Sequence, residues 1–99
     1  MHNNLEQFIN SLHRTTFAKT LRTIDLLEQF GPKLGMPHSR RISQTISELR
    51  IRGEQEVRIF YSMRSDTAFL LHGFIKKTQK TPPREITHAL RILKQMKHL

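Results

Sequence analysis

The residues best equipped for chemistry are basic, and they gather in one stretch, Leu70-Leu71-His72-Gly73-Phe74-Ile75-Lys76-Lys77-Thr78-Gln79-Lys80-Thr81-Pro82. An apolar run broken by a single histidine leads into three lysines and a helix start. From Leu70 onward Lys76, Lys77, Lys80, Arg84, Arg91, Lys94 and Lys97 stand against one acid, Glu85. Upstream, Arg50, Arg52 and Arg58 fall in or beside extended segments. A strand arginine is costly to bury unpaired, so Arg50 and Arg58 must meet solvent, an acid or a ligand. Glu48 and Glu56 lie two residues from them, on the same faces of an extended chain, which is the ion-pair reading. The other reading is phosphate, which Arg grips through a planar fork and Lys attracts as a point charge. His72 is either a core histidine bonded to backbone or a proton shuttle near neutral pH. Tyr61, the only tyrosine, reads as a packing residue with its hydroxyl at the rim.

Other chemistries find less support. The six histidines offer no helical i, i+4 pair with a nearby carboxylate, and the chain has no cysteine, so a zinc site is not expected. Most of the eight acids sit on helix surfaces or in turns, and they make no glycosidase-like pair. No glycine-rich phosphate loop and no nucleophile elbow occurs.

The net charge of +9 and pI near 10.9 are unevenly spread. Residues 1–49 carry six Lys/Arg and four acids; residues 50–99 carry eleven and four. Such asymmetry points to nucleic acid or an acidic protein partner. Ninety-nine residues, 36% hydrophobic with six Phe, fit one folded domain over residues 1–99. No apolar run approaches the roughly 18 residues of a membrane span. The polar N-terminus shows no export signal, so the cytoplasm is the expected compartment.

The elements that must position these residues follow from periodicity. Leu5, Phe8, Ile9 and Leu12 predict a helix from Asn4 to about His13. A second helix is predicted from Thr15 or Thr16 to Phe30, with Phe17, Leu21, Ile24 and Leu27 as its buried stripe, widened by Leu26 and Phe30. Gly31-Pro32 ends it. The short joint at His13-Arg14 makes the two a helical hairpin. Residues 32–39 read as a loop. Three strands follow, Ile46–Ile51, Val57–Met63 and Thr67–Ile75, joined by short turns into an antiparallel meander. The third is apolar nearly throughout and suits a central strand covered on both faces. A last helix opens at Thr81-Pro82-Pro83, its core stripe being Ile86, Ala89, Leu90, Leu93 and Met96. Arg84, His88 and Arg91 lie on another of its faces. The order predicts an α+β fold, a helical hairpin on a small antiparallel sheet with a C-terminal helix. If the last turn centres on Ser65-Asp66, Arg58 lies opposite Gly73 and shares a face with Phe60, Leu71, Ile75 and Lys77. A one-residue slip pairs it with His72 instead.

At Glu48-Leu49-Arg50, Val57-Arg58-Ile59-Phe60-Tyr61 and Leu71 to Pro82, the chain resembles the RelE/ParE toxin superfamily, and within it the phage-related HigB-like branch of toxin–antitoxin systems. The likeness runs from about Leu5 to Lys97. It implies the RelE-like version of the fold above. It also implies a toxin that cleaves messenger RNA on the translating ribosome, needs no cofactor, and is silenced by a cognate helix-turn-helix antitoxin. Arg58 matches the strand arginine placed at the scissile phosphate, Lys76 and Lys77 the basic pair ending the last long strand, and Arg50 a family basic position. The catalytic set then expected is Arg58 and Lys77, with His72, Tyr61 or a lysine handling the proton. Arg50, Lys76, Lys80 and Arg84 would hold RNA phosphates. Three features depart from the pattern: no strand is expected ahead of Asn3, Glu48 replaces a lysine, and a late tyrosine is missing. Two alternatives stay open: a ParE-like non-nuclease toxin acting on DNA gyrase, and a degenerate module that binds only antitoxin or nucleic acid.

Overall fold

The computed structural model describes residues 3–96; His2, Lys97 and His98 lie outside the described residues. Two helices come first, α1 (Asn3–Asn10) and α2 (Arg14–Phe30), followed by a single 3₁₀ turn at Gly31–Lys33. Four strands follow, β1 (Ser39–Arg41), β2 (Ser47–Ile51), β3 (Val57–Arg64) and β4 (Thr67–Ile75), and the helix α3 (Pro83–Met96) closes the chain. The strands form one antiparallel meander in the order β1-β2-β3-β4. The expected α+β architecture is the observed one.

The sheet separates two cores. On one side Leu49, Ile51, Val57, Ile59 and Tyr61 pack against Leu5, Ile9, Leu12 and Leu27 of the helical hairpin. On the other, Ile46, Phe60, Leu71 and Phe74 pack against Ala89, Ile92 and Leu93 of α3. Alternation along each strand divides the residues between the faces.

Several elements differ from the sequence expectation. Residues 39–41 form an edge strand that was not expected; only Ser39 of the three lies in the expected loop. Ser-Arg-Arg has no strand pattern; the strand exists because β2 holds it, through the register Arg40↔Glu48 and the Arg50 N–H donating to the His38 carbonyl at 2.8 Å. The central, most buried strand is β3, not β4. β4 is an edge strand, and its apolar character comes from α1 and α3 covering its two faces.

The buried face of α2 is Thr16, Thr20, Thr23 and Leu27, while Leu21 and Phe30 are exposed. Threonine serves as a core residue here because its hydroxyl is satisfied within the helix. Thr20 Oγ1 donates to the Thr16 carbonyl and Thr23 Oγ1 to the Lys19 carbonyl, each at 2.8 Å, leaving the methyl groups to pack. On α3 the core stripe includes Ile92 while Leu90 is exposed. Gly31, at φ 55°, caps α2 by donating to the Leu27 carbonyl, as the Gly-Pro signal implied.

The register of β3 and β4 decides which residues share a face. Next to the Ser65-Asp66 turn it is the expected one, Arg64↔Thr67 through Tyr61↔Leu70. A β-bulge then intervenes: Tyr61 pairs with Leu70 but Phe60 with His72, so Leu71 is the extra residue. Beyond it Ile59 faces Gly73 and Arg58 faces Phe74. Neither expected partner of Arg58, Gly73 or His72, is the observed one. Gly73 and Ile75 turn toward the helical hairpin, and the space above Gly73 is filled by Leu5 and Phe8 of α1.

A Cβ at Gly73 would meet the Leu5 and Phe8 side chains at 2.8 and 2.9 Å. Gly73→Ala should therefore lower the stability to chemical denaturation by about 1–3 kcal/mol. A Gly73→Ala protein as stable as wild type would show that α1 does not seat on β4 in this way.

Candidate functional site

The bulge gives the α3-side face of the sheet its polar content. One row across the four strands reads Arg40, Glu48, Phe60, His72, and the next Arg50, Arg58, Phe74. Arg58 and His72 are thus diagonal neighbours on one face, a spacing of roughly 7–8 Å between Cα atoms. Two groups of polar side chains stand on this face.

The first is a buried charge cluster. The Glu48 side chain is 1% exposed, and three guanidiniums approach its Oε1: Arg50 Nε at 3.6 Å, Arg40 Nη2 at 3.7 Å and Arg58 Nε at 3.8 Å. Arg58, 3% exposed, also donates through Nη1 to Glu56 Oε2 at 3.2 Å and to the Val57 carbonyl at 3.1 Å. Both ion pairs anticipated from the two-residue spacing, Arg50 with Glu48 and Arg58 with Glu56, are present. Among the described residues neither Glu48 oxygen makes a hydrogen bond, nor does Nε of Arg50 or Arg58. The cluster is held by charge at ion-pair distance. Positive charge is in excess, and burial, followed by the Arg58 charge, pushes the Arg50 guanidinium below its ordinary pKa.

The second group lines an open cleft of about 490 Å³ between β4 and α3. His72 Nε2 lies 2.7 Å from Glu85 Oε1, with both side chains half-buried. The His88 ring meets the His72 ring edge-on at 4.5 Å between centroids, and the Phe74 ring stacks on His72 at 5.9 Å. Arg84 and Arg91, both exposed, stand at the cleft walls. His72 is therefore bonded to a carboxylate rather than to backbone. A carboxylate accepts, so Nε2 donates to it, and in the neutral ring Nδ1 then carries the lone pair. A ring so held can accept a proton at Nδ1, and two guanidiniums able to hold a phosphate line the same cleft. His72, Glu85 and His88 are the residue types of a two-histidine, one-carboxylate metal triad. Among the described residues, no three such side chains converge closely enough to hold an ion.

The structure thus brings His72 and Arg84 together and puts Arg58 on the same face. It separates the other expected residues. Tyr61 points into the hairpin-side core and its hydroxyl bonds that of Ser39. Lys76 is half-buried just past β4, its N–H donating to the Glu56 carbonyl at 2.7 Å. Lys77 and Lys80 are exposed in the connection to α3. The bulge carries Lys76, not Lys77, into step with Arg58. Arg50 joins the buried cluster. The partners of His72 were missed as site residues: Glu85 was counted only as the lone acid, and His88 and Arg91 only as a helix face. The signal was present in the i, i+4, i+7 spacing of Arg84, His88 and Arg91. What spacing cannot say is that this face lies over His72.

Residues 7–94 match the model of the family described as phage derived protein Gp49-like (DUF891). No curated protein matches the chain.

The buried cluster makes a stability prediction. Glu48→Ala removes the carboxylate that three guanidiniums approach, leaving the buried Arg50 without an acid among the described residues and Arg58 with Glu56 alone. Such a loss costs about 3–5 kcal/mol, measured by urea unfolding. The joint Glu48→Met, Arg58→Met replacement should recover much of it. If the double variant is less stable than Glu48→Ala alone, the charges are not what Glu48 balances.

Proposed function

The chain belongs to the phage-derived Gp49-like family, which is RelE-like in the broad sense, and from that premise we propose that it is the toxin of a type II toxin–antitoxin system, of the HigB-like branch, acting as a messenger-RNA endonuclease on the ribosome. The observation that carries this reading is the His72–Glu85 pair, 2.7 Å apart in an open cleft and flanked by Arg84 and Arg91. A carboxylate that orients a histidine beside phosphate-binding cations is the equipment of metal-free RNA cleavage by internal transesterification.

In this mechanism the single strand lies across the cleft with one phosphodiester against Arg84 and Arg91. His72 Nδ1 takes the proton of the ribose 2′-hydroxyl. The 2′-oxygen attacks the adjacent phosphorus, the bond from phosphorus to the 5′-oxygen breaks, and a 2′,3′-cyclic phosphate forms. The departing 5′-oxygen takes a proton from His88, the second titratable ring in the cleft. Glu85 holds His72 in the right tautomer and stabilises the imidazolium that forms, a role that requires the carboxylate to stay ionised. The charge gathering on the phosphate is met by the two arginines and by the excess positive potential of the Arg58 cluster. Lys76, Lys77 and Lys80 serve neighbouring phosphates or ribosomal RNA. The natural inhibitor is a cognate helix-turn-helix antitoxin.

Burial of Arg58 against Glu48 and Glu56 favours a structural as well as an electrostatic role for it. This observation also lends weight to the second reading, a module that binds without cutting. Arg58→Ala would harm the fold as well as the site, so His72 is the discriminating position. Expression of the chain should halt growth with cut transcripts, and His72→Ala should relieve the arrest. On ribosomes in vitro, His72→Ala should lower cleavage by about 10²–10⁴-fold with little change in unfolding temperature, and Glu85→Gln by a smaller factor. Equal toxicity of wild type and His72→Ala would sink the assignment. DNA damage with intact transcripts would favour the gyrase-directed alternative. Tight antitoxin binding without any toxicity would favour the binding module.

A further inference from the structure

A second basic cleft, of about 260 Å³, lies on the opposite edge of the sheet from β4, between α2 and the loop that precedes β1. Lys19 and Arg22 line it from α2, and Arg50 and Arg52 from the end of β2 and the residue after it, with Leu26 and Ile51 among its apolar lining. Among the described residues its lining contains no acid. Lys19 Nζ donates to the Arg52 carbonyl at 3.4 Å, a neutral partner that leaves the ammonium charge uncompensated. Arg52 has only an exposed pairing with Glu56 at 3.6 Å, which solvent screens. Arg50 lines this cleft and also pairs with Glu48, so it links the cleft to the cluster that holds Arg58.

We propose that this cleft binds the sugar-phosphate backbone of single-stranded RNA, continuing the track of a strand that is held at Arg84 and Arg91. The inference rests on the RNA reading above and extends it to a second site. Two observations favour a nucleic acid over an acidic peptide. Two backbone groups that border the cleft and could pair with a peptide strand are already taken: the Arg50 N–H by the His38 carbonyl, and the Arg52 carbonyl by Lys19. What the edge still offers is side-chain cations, which is what a phosphate backbone requires. Lys19 and Arg22 stand three residues apart on one helix face and present their charges as neighbours.

The test is binding of a fluorescently labelled, 2′-O-methylated RNA of about ten nucleotides, within the usual footprint of single-strand sites and resistant to cleavage. Lys19→Ala/Arg22→Ala should flatten the slope of log affinity against log salt by about 1.4, from two lost contacts at about 0.7 each. The corresponding loss of affinity is about 25-fold at 0.1 M salt. Lys19→Arg/Arg22→Lys, which conserves charge, should bind as wild type does. RNA binding by wild type with an unchanged slope in the alanine variant overturns the cleft and leaves the toxin reading standing. Failure of wild type to bind RNA at all overturns both. Equal loss in the charge-conserving variant overturns the electrostatic basis. Preferential capture of polyglutamate, abolished in the alanine variant, assigns the cleft to a protein partner instead.

Discussion

One extra residue in β4 decides what this molecule presents to its surroundings. Without the bulge at Leu71, the alternation set by the Ser65-Asp66 turn would put His72 opposite Ile59, inside the apolar core under the helical hairpin. With it, Leu71 and His72 both face α3, and every residue after them changes side. Gly73 then lies beneath α1, where only a missing side chain lets Leu5 and Phe8 seat. Phe74 joins Phe60 under α3, with their rings edge to face at 5.4 Å. A bulge costs ladder pairing locally and re-aims side chains. Here it delivers one histidine to a helix whose first turns carry Glu85 and His88.

The same face divides into a part covered by α3 and a part left to charge. Over β3 and β4 the helix supplies Ala89, Ile92 and Leu93, so that region is a conventional apolar core. Toward β2 and β1 the face carries Glu48, Arg50, Arg58 and Arg40. Buried pairs of this kind seldom add stability over an apolar replacement, but breaking one is costly. The excess of arginine over acid in the cluster has its use in the positive potential it sustains. The cluster lies between the two clefts: Arg58 is a diagonal neighbour of His72, and Arg50 also lines the Lys19–Arg22 cleft. The arrangement is suited to a polyanion that spans the sheet face.

Much of this was legible in residue order alone. The apolar spacing of Leu5 to Leu12, the Gly31-Pro32 stop, the Val, Ile, Phe and Tyr content of β3 and the Thr81-Pro82-Pro83 start give these elements their place. The two-residue spacing of Glu48 with Arg50, and of Glu56 with Arg58, gave the ion pairs. Alternation is a local rule and survives folding. The α2 face was read only in part: Phe17, Ile24 and Leu27 do pack on the core, but apolar counting treats threonine as polar, whereas an i−4 carbonyl satisfies each hydroxyl of Thr20 and Thr23. The edge strand β1 was missed because its cohesion is lent by β2 rather than carried by Ser-Arg-Arg.

The sequence by itself determined the architecture, the basic character of the second half, and the list of side chains able to hold phosphate or move a proton. Those properties are fixed by composition and by periods of two and 3.6 residues, which need no knowledge of distant partners. Only the tertiary structure decided which of those side chains meet. His72 and Glu85 are thirteen residues apart, and Lys19 and Arg52 thirty-three. Their meeting depends on a bulge whose position no local pattern announces and on the way each helix rolls against the sheet. Register and helix rotation are settled by packing across the whole core, so a slip of one residue would leave every local propensity intact and dismantle the site.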